Sequence, residues 1–242
     1  MKKSSKSYGN LFTSPAIIPA RLYNFSSETL RRLKVENATS YSDYVNQLTP
    51  AKDNLAKILG DLKKGLGERK SSINERDLLM QKIKNTMSEK EGLIRGLLVD
   101  FNPAAYARFY PNGISEYTQA NIVEMDLLTK RITSETTNNA DKLGTELTAQ
   151  LLSFEPAWLA AVAEVSKANK TLADNRSART AAVNTLSYIL SDLVRSVGKS
   201  ANDEAQYKVF FDFNLLYAPA RDGKKAAPVV EMSTEQKPAA NA

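Results

Sequence analysis

A spacing of alternately four and three residues runs without interruption along this chain from Leu55 to Phe101. Eleven of the fourteen positions that this spacing selects are apolar. Such a pattern forms one continuous apolar stripe on a long helix and is typical of helices that pack along a shared seam. The sequence therefore predicts a long helix over about 50–101. Thr49-Pro50 is the expected start, because proline is favoured in the first helical turn.

Two more long helices are predicted downstream. The spacing of four and three recurs from Trp158 to Val197, which indicates a helix over 156–197. Helical spacing of apolar residues also predicts a helix over 115–154, ended by Pro156. Long helices with short connections favour antiparallel packing. The predicted fold class is all-α, an elongated antiparallel bundle of three to four long helices.

The ends of the chain differ from this bundle, which is predicted to span 27–217. Residues 1–26 predict an extended basic and apolar arm, because Pro15 and Pro19 disfavour helix. The aromatic segment 201–217 fits both helical and strand spacing, and we favour a short helix there. Residues 218–242 are rich in Ala, Pro, Lys and Glu and predict a disordered tail.

The chain has no histidine and no cysteine. These residues supply the usual general bases, nucleophile pairs, zinc ligands and disulfides. No motif organises the remaining carboxylates, lysines and hydroxyls into a catalytic group. The sequence thus favours a protein that is not an enzyme and uses no cofactor or metal. Without cysteine, a signal peptide or a transmembrane segment, the expected location is cytoplasmic.

The positive charge of the chain is concentrated near its start. Residues 1–34 hold seven Lys and Arg against the single acid Glu28, which accounts for the whole net charge of +6. Such a cluster can neutralise nucleic-acid phosphates or another polyanion. The candidate polyanion-binding residues are Lys2, Lys3, Lys6, Arg31, Arg32 and Lys34. The alternatives are a solvated tail or an arm that docks on a neighbouring subunit.

Two apolar or aromatic segments are candidate partner-binding sites. The turn 102–113, at one end of the predicted rod, carries Tyr106, Arg108, Phe109 and Tyr110, and such residues often anchor interfaces. The competing interpretation is a one-turn helix that packs these rings over the bundle end. The arm adds Leu11, Phe12, Ile17 and Ile18, which are too apolar for a freely solvated tail.

Polar residues interrupt the predicted seam at Arg69, Arg76, Asn169, Arg176 and Arg179. Such positions commonly fix register and oligomeric state at a cost in stability. A buried charge network, a ligand cavity or a hinge is the alternative interpretation.

These features together favour a non-enzymatic structural or scaffold protein. It is expected to self-associate into a homo-oligomer or filament through its arm and its aromatic bundle end. The 102–113 turn would also suit a separate protein partner. A nucleic-acid-associated or other polyanion-binding protein is the second interpretation, and a membrane-active helical bundle is the third.

Overall fold

A computed structural model describes residues 10–36, 39–99, 102–200 and 204–217. Its elements are all helices, and the described residues contain no β-strand. This confirms the predicted all-α class. The predicted disordered tail 218–242 and the basic residues Lys2, Lys3 and Lys6 lie outside the described residues.

Two long helices organise the molecule. Helix α2 spans Ser42–Leu98 and α8 spans Phe154–Ser200. At 1.5 Å per residue, these helices are about 85 and 70 Å long. Contacts near residues 44, 61 and 69 of α2 occur in reverse order along α8, at 192, 175 and 169. The two helices therefore pack antiparallel in one register along their shared length, as the sequence pattern predicts.

The start of α2 differs from the prediction. The helix begins at Ser42, so Pro50 lies inside it rather than in its first turn. Pro50 and Asn46 are both exposed, so water can reach the carbonyl that lacks the proline N–H. The hydroxyl of Thr49 also donates a hydrogen bond to the carbonyl of Val45 at 2.8 Å.

The predicted helix over 115–154 is instead divided into four helices. These are α4 (Ser115–Gln119), α5 (Ile122–Asn138), α6 (Ala140–Leu143) and α7 (Thr145–Leu152). Asn121 starts α5 because its side chain accepts bonds from the amides of Val123 and Glu124, and the Asn121 amide in turn donates to the Glu124 carboxylate. Gly144, with φ +78°, separates α6 from α7.

The predicted extended arm is also shorter than expected. Helix α1 spans Pro19–Val35, so residues 19–26 are helical and Pro19 occupies the first turn rather than preventing it. A short 3₁₀ helix at Leu11–Thr13 precedes α1. In the segment 201–217, helix α9 spans Glu204–Phe210 and a 3₁₀ turn spans Phe213–Leu215.

The buried side chains form two separate cores, one toward each end of the α2–α8 pair. The near head packs the Leu11–Thr13 turn, α1, α9 and the Phe213–Leu215 turn around the start of α2 and the end of α8. The far head packs α3 (Pro103–Phe109) and α4–α7 around the end of α2 and the start of α8. We call the two-helix segment between the heads the stalk. Among the described helices, none has both the length and the apolarity needed to cross a bilayer.

A substitution pair in the Leu11–Thr13 turn tests its packing on the near head. Phe12 is 2% exposed and its ring centroid lies 5.4 Å from that of Phe25, whereas Leu11 is 53% exposed. Phe12→Ala should lower the free energy of unfolding in urea by about 3–5 kcal/mol, because it empties a core position. Leu11→Ala should change it by less than about 0.5 kcal/mol. Equal effects of the two substitutions would contradict the packing described.

Candidate interaction surfaces

The aromatic turn at 102–113 belongs largely to the core of the far head. Asn102 caps α3 by accepting a bond from the Ala105 amide, and Pro103 fills its first turn. Phe109 and Tyr110 are buried, and the Tyr110 hydroxyl donates to the carbonyl of Met87 at 2.8 Å. These two rings are therefore not exposed to a partner. The interpretation of this turn as a partner-binding tip is corrected for them, because their burial closes the end of the core.

The remaining two tip residues are tied to neighbouring helices. Tyr106 is half-buried, donates a short hydrogen bond to Glu91 and accepts one from Arg95. Burial raises the pKa of Tyr106, and its hydrogen bond to Glu91 adds to the effect. Arg108 is exposed but pairs with the buried Glu135 at 2.8 Å. Both side chains hold the far head together.

The apolar residues before α1 alternate between core and solvent. Phe12 and Ile17 are buried in the near head, while Leu11 and Ile18 remain exposed. The hydroxyl of Ser187 on α8 lies 3.5 Å from the carbonyl of Phe12, to which it donates. The segment thus docks on its own chain, which corrects the assignment of Phe12 and Ile17 to a partner surface.

The basic residues of α1 are mostly paired within the chain. Arg31 and Arg32 both contact Glu28, and Arg32 also reaches Asp212 at 3.4 Å. The hydrogen bonds from Arg31 and then Arg32 lower the pKa of the Glu28 carboxyl to about 2. Lys34 is exposed in the last turn of α1. The described part of the proposed polyanion site therefore offers little unpaired charge.

The polar seam residues take three different environments. Arg69 donates through Nε to the Asn169 side chain at 2.6 Å, which links α2 to α8 across the stalk. Arg76 pairs with its neighbour Asp77 at 2.6 Å. Arg176 is exposed and Arg179 is half-buried. Only the first pair joins the two helices, as expected of a residue pair that fixes register.

The outer face of α5 was not among the predicted sites. Val123 and Leu127 lie one turn apart on this helix and are 80% and 66% exposed. They are offset by one or two residues from Met125, Leu128 and Ile132, which are buried. An apolar pair four residues apart, out of register with the seam, was the signal that could have indicated this surface.

A cleft of about 470 Å³ lies beside the exposed pair on α5. It is lined by Asn112, Ser115, Glu116, Gln119, Asn121, Glu124, Leu127, Leu128 and Arg131. Arg131 pairs with Glu116 at 2.8 Å across it. Acidic residues Glu124 and Asp126 lie at the start of α5, and basic Lys130 and Arg131 lie one to two turns later. In the part of the chain that the structure describes, no cluster of three acidic side chains is placed to hold a metal ion.

Comparisons with protein-family models, curated proteins and solved structures find no match to this chain.

The buried tyrosines of the far head predict a loss of stability in alkali. Burial raises the pKa of Tyr110 and Tyr117 well above 10, whereas tyrosines in an unfolded chain ionise near pH 10. The resulting stabilisation is complete below about pH 10 and falls above it by about 1.4 kcal/mol per pH unit for each such tyrosine.

Tyr110→Phe removes one of these groups, together with its bond to Met87. Its destabilisation relative to the natural chain, about 1 kcal/mol at pH 7, should therefore shrink between pH 10 and 11. Urea unfolding at each pH measures the difference. The matched change of an exposed tyrosine, Tyr188→Phe, should leave the pH dependence unaltered, and a Tyr110→Phe profile parallel to that of the natural chain would contradict the prediction.

Proposed function

We propose that this protein is a non-enzymatic structural rod that self-associates through the outer face of α5 at its far head. The observation that carries the proposal is the exposed pair Val123 and Leu127 beside the cleft. Exposed apolar side chains next to a concavity are a common feature of association sites. The two aligned long helices supply the rigid body that a structural role needs.

The charges along α5 favour a second copy as the occupant of this face. In a twofold dimer, each partner uses the same surface, so two α5 helices would pair in opposite directions. Leu127 of each copy would then lie near the centre of the contact. Within one chain, Asp126 pairs with Lys130 at 3.3 Å and Arg131 pairs with Glu116 at 2.8 Å. In the antiparallel pair, the acidic Glu124 and Asp126 of one copy would in addition face the basic end of the other α5. Such opposite charges attract and fix the orientation.

The charge of the whole chain is consistent with self-association. Beyond residue 34, the chain contains 26 basic and 26 acidic residues. A neutral body lacks the like-charge repulsion that keeps strongly charged proteins apart. The sequence favours contacts through the aromatic turn and the N-terminal arm. We place the contacts on α5 instead, because Phe109, Tyr110 and Phe12 are buried. The polyanion-binding alternative gains no support from the paired Arg31 and Arg32.

Leu127→Glu tests the proposed contact. The natural chain should elute as a dimer or larger species, with its absolute mass measured by light scattering at low and high salt. The substitution should lower the association constant at least about tenfold, because it places two carboxylates near the dimer axis. It should leave the free energy of unfolding almost unchanged, since Leu127 is largely exposed.

Leu78→Glu is the matched control, because Leu78 is 71% exposed and lies on α2, away from the α5 face. It should preserve the mass of the natural chain. A monomeric natural chain, or a Leu127→Glu variant with undiminished mass, would refute association through α5. A 260/280 nm absorbance ratio typical of bound nucleic acid would instead favour the polyanion-binding alternative.

A further inference from the structure

One side of the stalk forms an open groove between the two heads. Residues seven apart complete nearly two helical turns and so lie along one line of a helix. Leu59, Leu66 and Ile73 share such a line on α2 with Lys52. The Lys52 ammonium lies 5.8 Å from the centroid of the Tyr23 ring of α1. Helix α1 therefore covers the beginning of the line, and Leu66, further along, is 51% exposed.

The far head closes the other end of the same side. Lys63, Lys70, Asp77 and Lys84 form a neighbouring line on α2, and Lys84 donates to the carbonyl of Thr118 at 3.3 Å. Leu59 packs against the near core, so the open part of α2 extends from Lys63 to Asp77, which is about 21 Å of helix. This length corresponds to about four turns.

Helix α8 supplies the second wall of the groove. Leu159, Ser166, Ala173 and Thr180 share a line that leads to Ser187, which contacts Phe12. Because Phe12 packs on Phe25 of α1, the helix that also covers Lys52, the two lines lie on the same side of the stalk. Leu159 is exposed on this line, and Val162 is exposed between it and the seam. The groove therefore has two helical walls, and its accessible apolar residues are Leu66, Ile73 and Val162. The hydrogen bond from Arg69 to Asn169 crosses it midway.

The charge of the groove is predominantly positive. Lys63 and Lys70 on α2 and Arg176 on α8 form no ion pair within the described residues, and the acidic Asp77 is already paired with Arg76. The same surface of a second copy would carry the same cations, so charge repulsion disfavours another copy of this chain as the occupant.

We propose that the groove binds an amphipathic α-helix of about 14 residues from another protein, with an apolar face and acidic flanks. Apolar residues three and four apart on this helix would cover Leu66, Ile73 and Val162, as in other complexes that place a helix in a groove. Its carboxylates would pair with Lys63, Lys70 and Arg176. The bound helix would give the stalk the third helical layer that the heads have.

A labelled synthetic peptide provides the test on the full chain. The probe is a helical peptide of about 14 residues with leucines spaced three and four apart and glutamates on both flanks. Fluorescence anisotropy should show binding that weakens between 50 and 200 mM salt, as expected of attraction between exposed charges. The same peptide with lysines in place of the glutamates should bind at least about tenfold more weakly.

Two substitutions with matched controls locate the bound peptide. Leu66→Glu and Lys70→Glu should each weaken binding at least about tenfold. Leu78→Glu and Lys82→Glu should change it less than about twofold, because each lies twelve residues further on, about 120° around α2. Leu78 is 71% exposed, so this control alters a leucine that is even more accessible than Leu66.

Three outcomes would overturn the proposal. These are no binding of the acidic peptide at about 1 mM, equal binding of the two peptides, or equal effects of the groove substitutions and their controls. The chain mass, measured on the same variants, keeps this result separate from self-association, since none of the four substitutions lies on α5.

Discussion

The antiparallel packing of α2 against α8 is the contact on which both heads depend. The near core combines Leu48 and Leu55 of α2 with Leu190 of α8, whereas the far core combines Met87 of α2 with Trp158 of α8. A shift of one helix along the other would therefore disturb both cores together. The bond from Arg69 to Asn169 lies between the two cores and joins α2 to α8 in the observed register. Polar pairs that link two helices in this way favour one register over its alternatives.

Because most residues that the apolar spacing selects are buried or half-buried, although Leu66 and Val162 are exposed, the long helices could be predicted from the sequence. Their ends could not, since Pro50 is tolerated where both it and Asn46 face water. The division of 115–154 depends on local backbone chemistry that competes with apolar spacing. The Asn121 and Glu124 pair is a capping signal visible in the sequence. By contrast, the positive φ of Gly144 is not implied by glycine alone.

The candidate sites were harder to predict because aromatic and apolar residues serve both cores and interfaces. At each end of the α2–α8 pair, apolar side chains need to be covered by other segments of the chain. Phe109 and Tyr110 cover those of the far head, and Phe12 and Ile17 cover those of the near head. Only the tertiary structure shows whether such a residue lies in a core or at an interface. Leu127 illustrates the converse, because its neighbour Leu128 occupies the core position and leaves it outside. Spacing identifies an amphipathic helix here, but two adjacent leucines leave its orientation undetermined.

Charge distribution separates the roles proposed for the two open apolar surfaces. The outer face of α5 carries acids near its start and bases further along, so a copy turned through a twofold axis presents opposite charges to it. Within the described parts of the chain, the cations Lys63, Lys70 and Arg176 of the stalk groove form no ion pair, so a copy of the same surface would repel it. If exposed apolar side chains alone decided binding, the α5 face and the stalk groove would attract the same partners. The differing order of charge directs one surface toward another copy of this chain and the other toward an acidic helix.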